Sequence, residues 1–282
     1  WEAASGGGAS TGETYVLLKA ANGSASNSGE NTIAGHQAGE DISDGGQNTF
    51  YGYQAGHDLT TGDFNVAIGS KALKDATAAG YSVAIGDSAL ENVTTSNYNI
   101  GIGASALKTL TTGVGNVAIG TESLQYLQST ASYNVAVGME ACRAATTATG
   151  MVGVGYYALK SITTGANNTA LGYSAGTAVT TGSNNVAIGH ESQQSTTTGD
   201  QNISLGKSLY SNTTGSNNIS AGYFSLAGNT TASNNVAIGY AAMMTNSTGA
   251  NNVAIGYDAL RASTTSTEHI AIGYQAGYSK TT

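Results

Sequence analysis

Hydrophobic and polar positions along this chain follow one pattern that returns about every 17 residues. Its clearest part is the string Asn-Val-Ala-Ile-Gly. Taking its Gly as a marker gives Gly35, Gly52, Gly69, Gly86, Gly103, Gly120, Gly138, Gly155, Gly172, Gly189, Gly206, Gly222, Gly239, Gly256 and Gly273. Of the 14 intervals between these 15 markers, twelve are 17 residues, one is 18 (Gly120 to Gly138) and one is 16 (Gly206 to Gly222). Random Gly-rich sequence does not hold register over so many copies, so the repeat is what organises the fold.

The columns of the repeat predict its elements. Three residues before the marker every copy is β-branched, and the residue just before it is Ile, Val or Leu in 12 of 15 copies. Between these two the residue is small, as in Ala67, Gly101 and Ser204. Large and small side chains alternating at period two predict a short strand. The dozen residues left in each copy are too few for a crossover helix and suit one coil of an all-β parallel β-solenoid. Hydrophobicity assigns the strand's large columns, for example Val66, Ile68, Val117, Ile119, Val186, Ile188, Val253 and Ile255, to the core, and Asn, Ala and Gly to the outside. On the return path a small residue precedes Leu73, Leu90, Leu107, Leu124, Leu159, Leu226 and Leu260, which reads as a second short strand with Leu inward. A corner such as Thr60-Thr61-Gly62 or Thr163-Thr164-Gly165 follows, its Gly expected to supply a positive φ. Asn precedes the β-branched residue in 12 of 15 copies, for example Asn65, Asn116, Asn185 and Asn252. That column suits a left-handed corner or a stacked amide ladder. Pro, which deletes a ladder hydrogen bond, is absent from the chain.

Composition narrows the class. Only 9% of residues are charged, and 9 Lys plus Arg face 17 Asp plus Glu, so the chain offers no basic stripe for nucleic acid. No run reaches the length of a membrane span, so membrane insertion is not expected. The chain opens Trp-Glu-Ala-Ala, which suggests a processing boundary. Residues 1–30 lack the repeat and read as an N-terminal cap or attachment segment, with residues 31–282 as the repeat shaft.

The unit Asn251 to Leu260 with its Thr264-Thr265 corner, and the form Gly-Tyr-Gln-Ala-Gly at Gly52 to Gly56 and Gly273 to Gly277, resemble repeats of phage and virus tail-fibre proteins. The Asn-Val-Ala-Ile-Gly core is also similar to head repeats of trimeric autotransporter adhesins, although those repeats are shorter. The resemblance covers residues 31–282. It implies a left-handed β-roll, a homotrimer, and a structural or adhesive fibre segment of a virion tail fibre that contacts a host-surface glycan or protein. A cellular surface adhesin or extracellular filament subunit is the alternative.

Residues that carry chemistry elsewhere are absorbed by the repeat. His36 and His190 share a column nine coils apart, and no His or Cys spacing suggests zinc. Cys142 stands where other copies have Leu, and the acidic residues are scattered. The sequence therefore predicts neither an enzyme nor a cofactor or metal site. Tyr follows the marker at Tyr53, Tyr156, Tyr173, Tyr223, Tyr240, Tyr257 and Tyr274, either as a glycan-contact stripe or as a structural ladder of rings. Thr pairs at the corners raise ice binding as a minor reading, weakened because adjacent residues on a strand point to opposite faces.

Overall fold

A computed structural model describes residues 30–128 and 130–279. The expected N-terminal cap or attachment segment therefore lies, except for Glu30, outside the described residues. The fold is all-β. Among the described residues fifteen three-residue strands, β1 (Thr32–Ala34) to β15 (Ile270–Ile272), form one sheet in strict sequence order. Every pair is parallel and like residues align, Val66 with Val83 and Val236 with Val253. One strand per repeat stacked on the next makes a β-solenoid. The 18- and 16-residue copies keep this alignment, Val117 with Val135 and Ile203 with Ile219, so their length changes are absorbed in the return path. Fifteen layers at ~4.8 Å make a rod of roughly 70 Å.

The strand faces opposite to the hydrophobic expectation. Ala67, Ala118, Ala187 and Ala254 are buried. Val66, Val117, Val186, Val253 and Ile255 are only half-buried, and Ile68, Ile119 and Ile188 are exposed. The amide column explains the inversion. Asn65, Asn116, Asn185 and Asn252 are buried, and a residue two positions along a strand shares the same face, so an inward Asn carries Ala inward and turns Val and Ile out.

Asn116 shows what the inward amide does. Its backbone N–H and its Nδ2 donate to Asn99 Oδ1 at 2.9 and 3.1 Å, and Nδ2 also donates to the Ala131 carbonyl at 3.0 Å. Its own Oδ1 accepts from the backbone N and Nδ2 of Asn134 at 3.1 and 3.0 Å. Asn65, Asn185 and Asn252 are bonded in the same way to the coil before and the coil after. The column is thus a ladder, and the left-handed residues are the ones just before it, such as Tyr98 and Asn184. Asn116→Leu strands donors and acceptors on both neighbouring coils and should lower stability by roughly 2–4 kcal/mol. Urea unfolding checks this against Thr198→Ala on the exposed corner, expected within about 0.5 kcal/mol of the parent.

Core volume is balanced between two columns. Where the strand centre is Ala or Gly, as at Ala67, Ala84, Gly101 and Ala118, the return path brings in Leu73, Leu90, Leu107 and Leu124, all fully buried. Where the strand centre is large, at Ile33 and Phe50, that column is Gly39 and Gly56, and a Cβ on Gly56 would lie 2.5 Å from Phe50 Cε2. Conversely, a Cβ on the strand-centre Gly153 would lie 2.5 Å from Cys142 Sγ. The Leu residues do not form the expected second strand. Leu73, Leu90 and Leu107 have φ near +54°, +52° and +53° and sit in a left-handed bend. Their N–H groups still bond to the next coil, Leu90 to the Ala106 carbonyl at 2.9 Å.

The corner Gly has a different role from the one expected. Gly62, Gly113 and Gly165 are not at positive φ. A Cβ there would stand 1.9, 2.0 and 2.1 Å from a carbonyl oxygen of the coil above, so Gly lets the backbones approach. Positive φ belongs to the marker, as at Gly69 (+131°) and Gly103 (+130°). From Gln193 onward the interior turns polar. Gln193 replaces Leu, Ser204 bonds Ser192 and Ser208, and Asn212, Asn229 and Asn246 start a second amide ladder. The apolar core is split there into clusters over residues 33–187 and 209–271.

Candidate functional surface

Turning Val and Ile outward leaves a continuous apolar strip along the rod. Ile68, Ile119, Leu171, Ile188, Leu205 and Ile238 are 36 to 47% exposed, and their strands stack in register over all fifteen layers. A strip three residues wide and fifteen layers long covers ~700 Å² in projection. That exceeds the few hundred Å² of contiguous apolar surface usual on a monomer and approaches one partner's share of a stable interface, about 800 Å².

Two margins flank this strip. The trailing margin follows the marker Gly and contains the Tyr column singled out from the sequence. Its rings stack on one another: Tyr156–Tyr173 at 5.3 Å, Tyr223–Tyr240 at 6.1 Å, Tyr240–Tyr257 at 5.0 Å and Tyr257–Tyr274 at 5.5 Å. Tyr53 stacks on His36, and Tyr173 also on His190. A pyranose ring needs an aromatic face, and in a stacked column the faces are taken by neighbouring rings. The leading margin precedes the Asn ladder and carries a second stack, Phe64–Tyr81–Tyr98 at 4.8 and 5.1 Å, which hydrophobic patterning alone does not single out. Its signal in the sequence is the 17-residue spacing of Phe64, Tyr81 and Tyr98.

The Thr corners divide in the same way. Hydroxyls of the first Thr bond the coil above, Thr60 to the Thr77 carbonyl at 2.8 Å and Thr213 to the Thr230 carbonyl at 2.9 Å. The second Thr, as at Thr164, Thr181 and Thr198, forms a single exposed row.

Charged groups pair between adjacent coils. Lys160 lies 2.8 Å from Glu140 and Lys207 2.5 Å from Glu191, and these hydrogen bonds pull both carboxyls below the usual range. His57 sits between Glu40, 3.1 Å from Nε2, and Asp58, which faces Nδ1. Asp41, His57 and Asp58 bring ligand atoms within 4.8 Å of one another. Sequence spacing hid this cluster, because Glu40-Asp41 and His57-Asp58 meet only once coils stack 17 residues apart. Beside the 16-residue coil a shallow groove of about 490 Å³ lies among Lys207, Tyr210, Phe224, Ala227 and Met244. Cys142 is fully buried as a core side chain, and desolvation pushes its thiol up to about 12, which disfavours the thiolate. No helix among the described residues is long and apolar enough to cross a membrane. No family model, curated protein or solved structure matches this chain.

Proposed function

We propose that this chain is a non-enzymatic structural segment of a fibre, built as a left-handed roll and assembled from three parallel copies. The observation that carries the reading is the uncovered Val/Ile strip, which runs along the whole sheet and is too large for an isolated chain to leave in water. Long-axis association through such a strip yields a stiff rod, and the interior of each coil is filled by Leu, Ala and Asn with little room for a ligand. The setting that fits is a virion tail-fibre shaft that carries contacts to a host-surface glycan or protein. A cell-surface adhesin or extracellular filament subunit has the same physical requirements. Immunogold labelling of source material with antibody to the repeat should mark fibres on virus particles. Label confined to the cell envelope would favour the adhesin, and label only inside cells would overturn both.

A further inference from the structure

Layer by layer, the two margins of the apolar strip are related. On the leading margin rings occur at Phe64, Tyr81, Tyr98 and Tyr133, and in the same four layers the trailing margin holds Ser70, Asp87, Ala104 and Met139. In the layers where the trailing margin carries Tyr53, Tyr156, Tyr173, Tyr223, Tyr240 or Tyr257, the leading margin holds Gln47, Gly150, Asn167, Asn217, Asn234 or Asn251. No described layer has a ring on both sides. Charged groups meet an opposite or an uncharged partner: Glu30 shares a layer with His36, and Asp87, Lys207 and Glu268 share theirs with Tyr81, Gln201 and Tyr274.

Nothing within one chain accounts for this exclusion. The two margins lie at opposite ends of the strand, six residues apart in sequence with the three-residue strand between them. Rings on both would not collide. The exclusion has a cause only if the leading margin of one copy meets the trailing margin of another at the same height, where the groove between two chains takes one ring per layer. Two like margins face to face, or antiparallel chains, would match each layer with a different layer and leave the pattern without a reason.

We infer that the leading and trailing margins are the two halves of one contact between copies of this chain, packed parallel and in register, each leading margin on the next copy's trailing margin until the ring of chains closes. This rests on the self-association reading. Unlike margins in contact make a heterologous interface, which stays finite only by rotational closure. The Val/Ile strips then point to the shared axis, and the stacked rings wall the grooves between chains.

Paired cysteines in one layer test the geometry. Asn184 and His190 are exposed and flank β10 (Val186–Ile188) on its leading and trailing sides. The double variant Asn184→Cys/His190→Cys, mildly oxidised, should give reducible chains linked into one closed species. Each single variant should stay unlinked, as should Asn184→Cys combined with Tyr223→Cys, whose layer lies two coils away. Buried Cys142 stays out of the exchange. Links in either single variant, or in the staggered pair, overturn the inference. So does an unlinked same-layer pair in a preparation that sediments as an oligomer. A protein that sediments as a monomer overturns self-association itself, and this inference with it. A second test moves the ring. Asn251→Tyr and Tyr257→Asn should each lower the concentration of urea that separates the chains, and the double exchange should restore it. Additive losses in the double variant contradict the shared groove.

Discussion

Gly103→Ala should unfold the coils around it, and the same change at Gly273 should be several-fold milder. The marker Gly holds φ of +130° at Gly103, where an L residue costs on the order of 1–3 kcal/mol in strain. Strain is the smaller part. A Cβ on Gly103 would lie 2.5 Å from the carbonyl carbon of Gly120 in the next coil, and only backbone movement relieves that. Together these should exceed about 4 kcal/mol, the range reserved for steric failure in a packed interior. Gly273 keeps φ of +126°, but a Cβ on it would meet nothing within 4 Å, so Gly273→Ala isolates the strain alone. Thermal unfolding followed by circular dichroism, with both variants beside the parent, separates the two contributions. Equal losses at the two sites would mean that the coils do not approach as closely as the stacked glycines require.

Ile119→Glu, Ile188→Glu and Ile238→Glu combined in one chain should leave the coil folded and abolish its association. Each of these side chains is exposed on the single chain, at 36 to 39%, so a carboxylate there stays in water and perturbs the monomer little. In the proposed assembly the same positions face other copies. Burying three unpaired carboxylates costs several kcal/mol each, which weakens association by more than about a thousandfold. Circular dichroism should match the parent while sedimentation reports a single chain. A variant that still assembles would move the interface away from the Val/Ile strip. The opposite contrast, at buried Ala118 or Ala187, should destroy the fold before assembly is reached, because those side chains face a filled interior.

How much of this was legible in the sequence follows from where the information sits. The period placed every strand, β1 through β15, because a coil must return to the same point to pair with itself. It also gave the inward Leu column and offered an amide ladder, but placed the Asn side chains on the outside, where the structure buries them. The orientation of the strand was not legible from hydrophobicity. Alternation at period two offers two faces, and hydrophobicity alone picks the apolar one for burial, whereas here the small-residue face is the buried one. Asn65 and Asn116 held the answer: an amide that bonds both neighbouring coils has to face in, and it fixes Ala67 and Ala118 inward with it. The corner glycines misled for a related reason. Gly62 is required by the carbonyl above it and not by its own φ, and only stacking reveals that neighbour. The same applies to His57 with Glu40, and to the second ring column at Phe64, Tyr81 and Tyr98. All of these are contacts between residues one coil apart, visible in sequence only once the period is used as a contact map.

The central claim is that the Val/Ile strip is covered by other copies of the same chain. Sedimentation equilibrium of the purified protein, across a hundredfold range of concentration, tests it most directly. One chain is 28.1 kDa. The account predicts a single species at three times that mass, unchanged on dilution. A monomer at every concentration, with the strip open to water, would contradict it.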